Sequence, residues 1–519
     1  MADVDLVKTG VTGLDSILGG GIPRGNVIVV EGPAGSGKTT LGLEFIYRGA
    51  AEFDEPGLIV LFEVSPLKII RDAAQFGWDL SELERQKKIK IIFTTRTVLQ
   101  QELQQADSLL LAEAGHIGAR RMFIDAMPPL PVNGHPGSSG QNGNGVDSRE
   151  VFHTLIQGLH RENLTAMLAV EAPGNERVRD AAPPIEEFIA DSIIVLRIDD
   201  LQRAASRSLE VIKSRGHGFQ MGSHTFRIVA DRGIEVYRRV QAPRDGSRDA
   251  ASAFDPTTRV STGVPGLDEI VNGGYFLGST TLVVGVSGVG KSVMGLHYLA
   301  EGARLGERGL MVSLDEAPAQ IIRNAKTIGL DLEPDIAAGM IRLQFDAPQE
   351  IEIDRHFYQL EQIIQNFKPK RVVIDSLSTY GSSLGSSARV FRDFFHAVVA
   401  LMKEHQIAAL YNHENPEILG MSSMAGEYAM SSLVDNILLL NWVELGDEFR
   451  LALTVAKMRG NPTKRVTREC DIINGQGFQV LPREVPPAAL PFSSYYSLLS
   501  RAPERHRLAA RNTDVPIPG

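Results

Sequence analysis

The 519-residue sequence predicts an α/β protein in which one domain plan, a mostly parallel twisted sheet flanked by helices, is used twice. Three observations carry this. The chain repeats itself in order over nearly its whole length. Each repeat holds a glycine-rich loop between an apolar run and an amphipathic stretch. Short apolar runs alternate with longer helix-like segments, the pattern of strands joined by crossover helices.

The internal repeat shows which residues recur together. Thr9-Gly10-Val11-Thr12-Gly13-Leu14-Asp15 returns as Thr262-Gly263-Val264-Pro265-Gly266-Leu267-Asp268, and residues 32–39 return as 285–292, both at an offset of 253. Phe123-Ile124-Asp125 answers Val373-Ile374-Asp375, Asp191 answers Asp435, and Lys213-Ser214-Arg215-Gly216 answers Lys457-Met458-Arg459-Gly460. Five matched segments in one order imply two homologous domains of roughly 245 residues each. The boundaries read as a first domain at 1–245, a linker at 246–259 rich in Ala, Arg, Asp, Ser and Pro, a second domain at 260–484 and a tail at 485–519. Within the domains, the runs at 26–30, 57–62, 121–124, 280–284 and 371–374 read as buried strands. The stretch at 128–147, dominated by Gly, Pro, Asn and Ser, reads as an inserted loop.

Composition narrows the class. Hydrophobic residues at 43% and charged residues at 22% are ordinary globular usage and leave ample apolar surface to bury. A formal net charge of −10 argues against a surface built to neutralise nucleic-acid phosphate, so DNA is a disfavoured partner. Cys470 is the single cysteine, which excludes an intrachain disulfide and a CxxC zinc pair and fits a reducing compartment. The N-terminus lacks the basic and apolar segments of a signal peptide, and no apolar run approaches ~18 residues. These features point to a cytoplasmic protein with no membrane partner.

The chemistry gathers at the recurring loops. Gly32-Pro33-Ala34-Gly35-Ser36-Gly37-Lys38-Thr39 and Gly285-Val286-Ser287-Gly288-Val289-Gly290-Lys291-Ser292 both satisfy G-x-x-x-x-G-K-[ST], with Thr40 following the first. Glycines let the backbone wrap a phosphate with several N–H groups pointing inward, and the following helix adds its positive end. Triphosphate binding follows, with ATP as the expected ligand. Lys38 and Lys291 would reach the β- and γ-phosphates, and the hydroxyls of Thr39 and Ser292 would ligate Mg²⁺. Asp125 and Asp375 each close a buried strand, where a carboxylate can hold the metal's water shell.

A second carboxylate closes the strand before that one. It is Glu63 in the first repeat, and Asp315-Glu316 in the second, with Pro66 and Pro318 pairing Glu63 with Asp315. Such a group can orient water, or accept a hydroxyl proton, for attack on the γ-phosphate. Adjacent strand residues face opposite ways, so Asp315 and Glu316 cannot share the role equally. The alternative for all three is a solvated strand-end charge. Lys213 and Arg215, like Lys457 and Arg459, alternate and would share one side if extended, as a binding pair or as an exposed strand face. Counting back from Asp191 and Asp435, the first repeat has Glu187-Phe188 where the second has Ser431-Ser432, which composition alone reads as a polar loop.

Paired P-loop repeats opening with T-G-x-x-G-L-D and closing with K-x-R-G, together with Phe76-Gly77-Trp78-Asp79-Leu80, resemble the KaiC family of double-domain RecA-like ATPases and autokinases of circadian clocks. The resemblance spans roughly residues 5–480 and includes Ile185-Glu186-Glu187-Phe188 before Asp191, and Val443-Glu444 after Asp435. It implies tandem RecA-like P-loop NTPase domains assembled as homohexameric rings, with ATP between neighbouring subunits. It also implies that Lys213/Arg215 and Lys457/Arg459 touch the adjacent subunit's ATP and that Ser431 and Ser432 accept phosphate. The first domain would hydrolyse ATP and the second would phosphorylate itself. Two departures bear on kinase chemistry: Ser432 stands where clock members usually carry Thr, and Asp315 stands in the place of Glu. The tail bears little likeness to the clock proteins' regulatory C-terminus, which argues against a KaiA-like partner and leaves a KaiB-like one open. Two other functions compete, a KaiC-like ATPase in stress signalling without a clock or kinase role, and a recombinase- or helicase-like motor on single-stranded DNA.

Overall fold

The computed structural model describes residues 5–95, 98, 102, 109–127, 148–171, 189–201, 204–241, 257–348, 351–383, 388–414, 430–445, 448–461 and 467–484. The insertion at 128–147, residues 185–188, linker positions 246–256 and the tail at 485–519 lie outside the described residues. The chain divides into two compact units, Met1–Arg239 and Val240–Gly519.

In the first unit, β1 (Leu6–Val7) and β2 (Ile22–Pro23) pair as a short antiparallel ribbon. The strands β3 (Val27–Gly32), β4 (Gly57–Leu61), β5 (Ile89–Phe93), β6 (Arg121–Met127), β7 (Thr165–Glu171), β8 (Ser192–Leu201), β9 (Ala204–Ser214), β10 (Ser223–Val229) and β11 (Gly233–Tyr237) form one sheet. Its order is β11-β10-β9-β8-β3-β7-β6-β4-β5. The strands from β8 to β5 pair in parallel, and β9 to β11 extend the edge antiparallel.

The second unit repeats the plan. After the ribbon β12 (Arg259–Val260) and β13 (Tyr275–Phe276) come β14 (Thr280–Gly285), β15 (Gly309–Ser313), β16 (Ile341–Phe345), β17 (Arg371–Asp375), β18 (Ala408–Glu414), β19 (Asn436–Leu445), β20 (Glu448–Met458), β21 (Thr467–Ile473) and β22 (Gly477–Glu484). The order β16-β15-β17-β18-β14-β19-β20-β21-β22 is the same arrangement of strands. These are two tandem RecA-like domains with mostly parallel sheets.

The continuous apolar runs are explained by burial on both faces. Along β3, Ile28 and Val30 enter one core cluster while Val27 and Val29 enter the other, and along β14 Val283 opposes Leu282 and Val284 in the same way. Burial of each such side chain contributes about 1.5–3 kcal/mol. The T-G-x-x-G-L-D segment is architectural. Asp15 Oδ1 accepts from Thr9 N at 2.8 Å and from Thr9 Oγ1 at 2.7 Å, and Asp268 Oδ1 accepts from Thr262 N at 2.8 Å. Gly13 and Gly266 sit at φ +81° and +79°, and a Cβ there would meet Val236 O at 1.9 Å or Val480 O at 2.4 Å. Only glycine lets this segment close on the last strands, β11 and β22.

A buried arginine braces each domain. Arg121 and Arg371 are 1% and 0% exposed and pair with Glu55 and Glu307, both at 2.6 Å. Among the described residues no helix is long and apolar enough to cross a membrane.

Candidate functional site

β3 and β14 end at Gly32 and Gly285, and the helices Lys38–Glu52 and Lys291–Arg304 start where the glycine-rich loops finish. Gly37 and Gly290 cap these helices at φ +106° and +88°, where a Cβ would approach Ile228 Cδ1 to 3.0 Å or Ile472 Cδ1 to 2.8 Å. A side chain is excluded by both the backbone and the space. At Gly35 and Gly288 a Cβ would meet nothing within 4 Å, so that face of each loop is open to a ligand. Helix-start N–H groups lack intrahelical partners and carry partial positive charge, so an open loop there fits a phosphate. Val289 and Ser36 occupy the same place in the two loops and both are fully buried, so Val289 can offer a phosphate only its backbone. Thr40 is half-buried on the first helical turn.

Lys38 Nζ donates to Gly32 O and Pro33 O, both at 2.8 Å, and Lys291 Nζ donates to Gly285 O and Val286 O at the same distance. Each ammonium is thus folded over its own loop. Burial pushes both lysines below the usual ammonium range, opposed by Glu171 and Asp125 around Lys38 and by Glu414, Asp375 and Asp315 around Lys291. Thr39 Oγ1 donates to Asp125 Oδ2 at 2.8 Å, and Ser292 makes the matching bond to Asp375. Burial pushes both aspartates up. A cis peptide bond follows each, Asp125-Ala126 and Asp375-Ser376. A hydroxyl in contact with a carboxylate that burial disfavours fits a hydrated Mg²⁺, which takes few protein ligands and keeps several waters. Among the described residues no cage of three or more His, Cys, Asp or Glu side chains is formed.

The candidate bases lie just past the strands, where Pro66 and Pro318 start the next helices, Pro66–Ala74 and Pro318–Thr327. Glu63 is exposed. Asp315 accepts from Ser376 Oγ at 3.1 Å and Thr379 Oγ1 at 2.8 Å, whereas Glu316 accepts from Asn324 Nδ2 at 3.1 Å. The two acidic neighbours part as expected, but through a bend rather than strand alternation.

Two carboxylates escaped the sequence reading. Glu171 and Glu414 end β7 and β18 and stand in register with Gly32 and Gly285. Glu171 closes an apolar run, which was a signal available, whereas Asn412 and His413 separate Glu414 from one. Ser376 and Thr379 were also missed, because a serine and a threonine beyond a strand end carry no motif.

The basic pairs and the serines sit at the other edge of each sheet. Asp191 N donates to Val27 O and Arg215 N to Asp191 O, which sets Arg215 level with the start of β3 while the loop follows its end. Lys213 Nζ donates to Ala190 O at 2.7 Å. In the second domain Asp435 N donates to Thr280 O, at the start of β14. Lys457 Nζ donates to Ser431 O at 2.6 Å and Val434 O at 2.7 Å, and Arg459 Nη2 donates to Ser432 O at 3.0 Å. Ser431 and Ser432 are exposed on the 3₁₀ turn Met430–Ser432. Glu187 and Phe188, their counterparts in the repeat, lie outside the described residues.

Residues 7–241 and 260–485 both match the family described as "ATPase: KaiC". The circadian clock oscillator protein KaiC of Prochlorococcus marinus is 31% identical over 512 residues, covering 97% of this chain and 96% of its own. The circadian clock oscillator protein KaiC 1 of Synechocystis is 31% identical over 512 residues, with 97% and 92% covered. KaiC of Rippkaea orientalis is 31% identical over 516 residues, with 98% and 93% covered.

Proposed function

The chain belongs to the KaiC family of ATPases, and we propose that its first domain hydrolyses ATP while its second also phosphorylates Ser431 or Ser432 of a neighbouring subunit in a homohexameric ring. One observation carries this reading: in each domain the basic pair, and in the second the serines, stand at the sheet edge opposite that domain's own phosphate loop. Residues so placed are remote from their own domain's phosphate loop, and a head-to-tail ring would bring them to the nucleotide of a neighbouring copy.

The loop N–H groups and Lys38 or Lys291 bind the phosphates. Thr39 with Asp125, and Ser292 with Asp375, would hold Mg²⁺, which would supply positive charge against the triphosphate. Glu63 orients water in the first site. Asp315, with Glu316 beside it, takes the proton of the attacking hydroxyl or water in the second. The new O–P bond forms as the bond to ADP breaks. Lys213, Arg215, Lys457 and Arg459 approach the phosphates from the adjacent subunit. A role in clock-type or related signalling is consistent with the names of the relatives; a cytoplasmic location and a KaiB-like partner belong to the same proposal.

Incubation with Mg²⁺-ATP followed by phosphosite mapping tests the proposal. Phosphate on Ser431 or Ser432 is expected. ATP consumption with both serines unmodified would instead support the ATPase-only reading, which the shorter side chain of Asp315 favours. Salt-sensitive binding to single-stranded DNA that stimulates turnover would establish the motor reading, against which the net charge of −10 stands.

A further inference from the structure

We propose that Thr379 and Ser376 are positioning residues of the second nucleotide site, fixing the carboxylate of Asp315 for proton transfer; this rests on the reading of Asp315 as that site's base. Asp315 is exposed on a bend beyond β15. Thr379 Oγ1 donates to Oδ1 at 2.8 Å, Ser376 Oγ donates to Oδ2 at 3.1 Å, and the two hydroxyls stand 3.0 Å apart. With both oxygens engaged, the plane of the carboxylate is set. A carboxylate has about four lone-pair positions, so two donors still leave room for an incoming proton.

The clamp is itself rigid. Ser376 directly follows the metal-site aspartate Asp375, and Thr379 lies on the helix Leu377–Ser383, so base and metal carboxylate are referenced to one segment. The next residue, Tyr380, is 1% exposed, with its hydroxyl 2.5 Å from His356 Nε2 and its ring centroid 5.0 Å from that of Phe394. His356 Nδ1 in turn lies 3.4 Å from Asp346. Buried contacts of this kind are what hold a functional side chain to within a fraction of an ångström.

The first repeat differs in sequence at the two clamp positions. Aligned on Asp125 and Asp375, its corresponding residues are Ala126 and Pro129, neither of which has a hydroxyl. The two differences belong together. Glu63 carries an extra methylene, while Asp315 is shorter and is oriented by two donors.

The test uses the full-length protein carrying Lys38→Ala, so that ATP turnover reports the second site. Thr379→Val keeps the volume and branching and deletes the hydroxyl, Ser376→Ala deletes the other, and Thr379→Ser retains a donor. Thr379→Val and Ser376→Ala should each lower kcat roughly tenfold, the loss expected for one hydrogen bond to a charged group, with KM for ATP little changed. Thr379→Ser should recover most of the rate. Parental kcat in Thr379→Val, or equal impairment in the Val and Ser variants, would overturn the clamp alone. Phosphate mapped to Thr379 would overturn it by making that hydroxyl an acceptor. Absence of second-site turnover in the Lys38→Ala parent would overturn the clamp together with the function on which it rests.

Discussion

Two variants that are each inactive should restore phosphorylation when mixed. The first, Lys291→Ala, removes the lysine proposed to bind phosphate in the second domain; the second, Ser431→Ala with Ser432→Ala, removes the proposed acceptors. β14 rises about 3.3 Å per residue, which sets Thr280 and Gly285 about 17 Å apart. Ser431 and Ser432 are tied to the Thr280 end, through Asp435 and Lys457, and the phosphate loop begins at the Gly285 end. Phosphoryl transfer requires the reacting atoms within about 3–3.5 Å, so transfer within one domain would have to close most of that span. Transfer between subunits needs no such movement. In an equimolar mixture that has exchanged subunits, about half of the Lys291→Ala chains would have a competent neighbour on the correct side of a head-to-tail ring. The expected readout is phosphate on Ser431 or Ser432 of the Lys291→Ala chain alone, resolved by a mass tag, at about half the wild-type extent. Dilution of wild type with a chain carrying all three substitutions should lower its labelling in proportion. An unlabelled mixture, or wild-type labelling indifferent to dilution, would exclude transfer between subunits.

Three further outcomes follow from the same geometry. A non-hydrolysable ATP analogue should bind at two sites per chain by calorimetry, and at one in Lys291→Ala. Arg371→Met removes a fully buried guanidinium that donates to Glu307 at 2.6 and 2.8 Å, to Ser261 O at 2.8 Å and to Tyr298 O at 2.9 Å; denaturant unfolding of the second domain should show a loss of about 3–5 kcal/mol. The Glu44 carboxyl is pushed up to about 7 by burial, opposed by the Ile234 N–H and Arg48 and reinforced by Glu52. The folded form therefore holds this proton more tightly than the unfolded chain. The stabilisation is full below about pH 4.5 and is lost as pH rises to about 7, about 3 kcal/mol in all. Glu44→Gln keeps an acceptor for Ile234 N, so its thermal midpoint should be higher at pH 8 and flatter between pH 5 and 8; an unchanged slope would exclude Glu44 as the source.

Residues 32–39 and 285–292 were legible in the sequence because everything a phosphate loop needs is contiguous. Glycine must take a left-handed turn at a helix start, and a lysine must sit one residue beyond it. Asp125 and Asp375 were legible for a related reason, since a carboxylate at the end of an apolar run emerges at the sheet edge. The pairing of Glu63 with Asp315 came from comparing the repeats, which supplied an internal alignment. Glu171 and Glu414 were not legible, because their place beside the loops depends on β7 and β18 running next to β3 and β14 across a long stretch of chain.

Two phosphate loops on two copies of one α/β plan can be read from the chain alone, because hydrophobic period and glycine spacing act over a few residues. The edge of the sheet that each remaining group occupies depends on how distant strands come together. The strand order carries Lys457, Arg459 and the Ser431-Ser432 turn to the edge remote from Lys291, and the segment after Asp375 to the edge beside Asp315. Strand order is set by burial of both sheet faces and by crossover connections between distant segments, which no local stretch of sequence specifies.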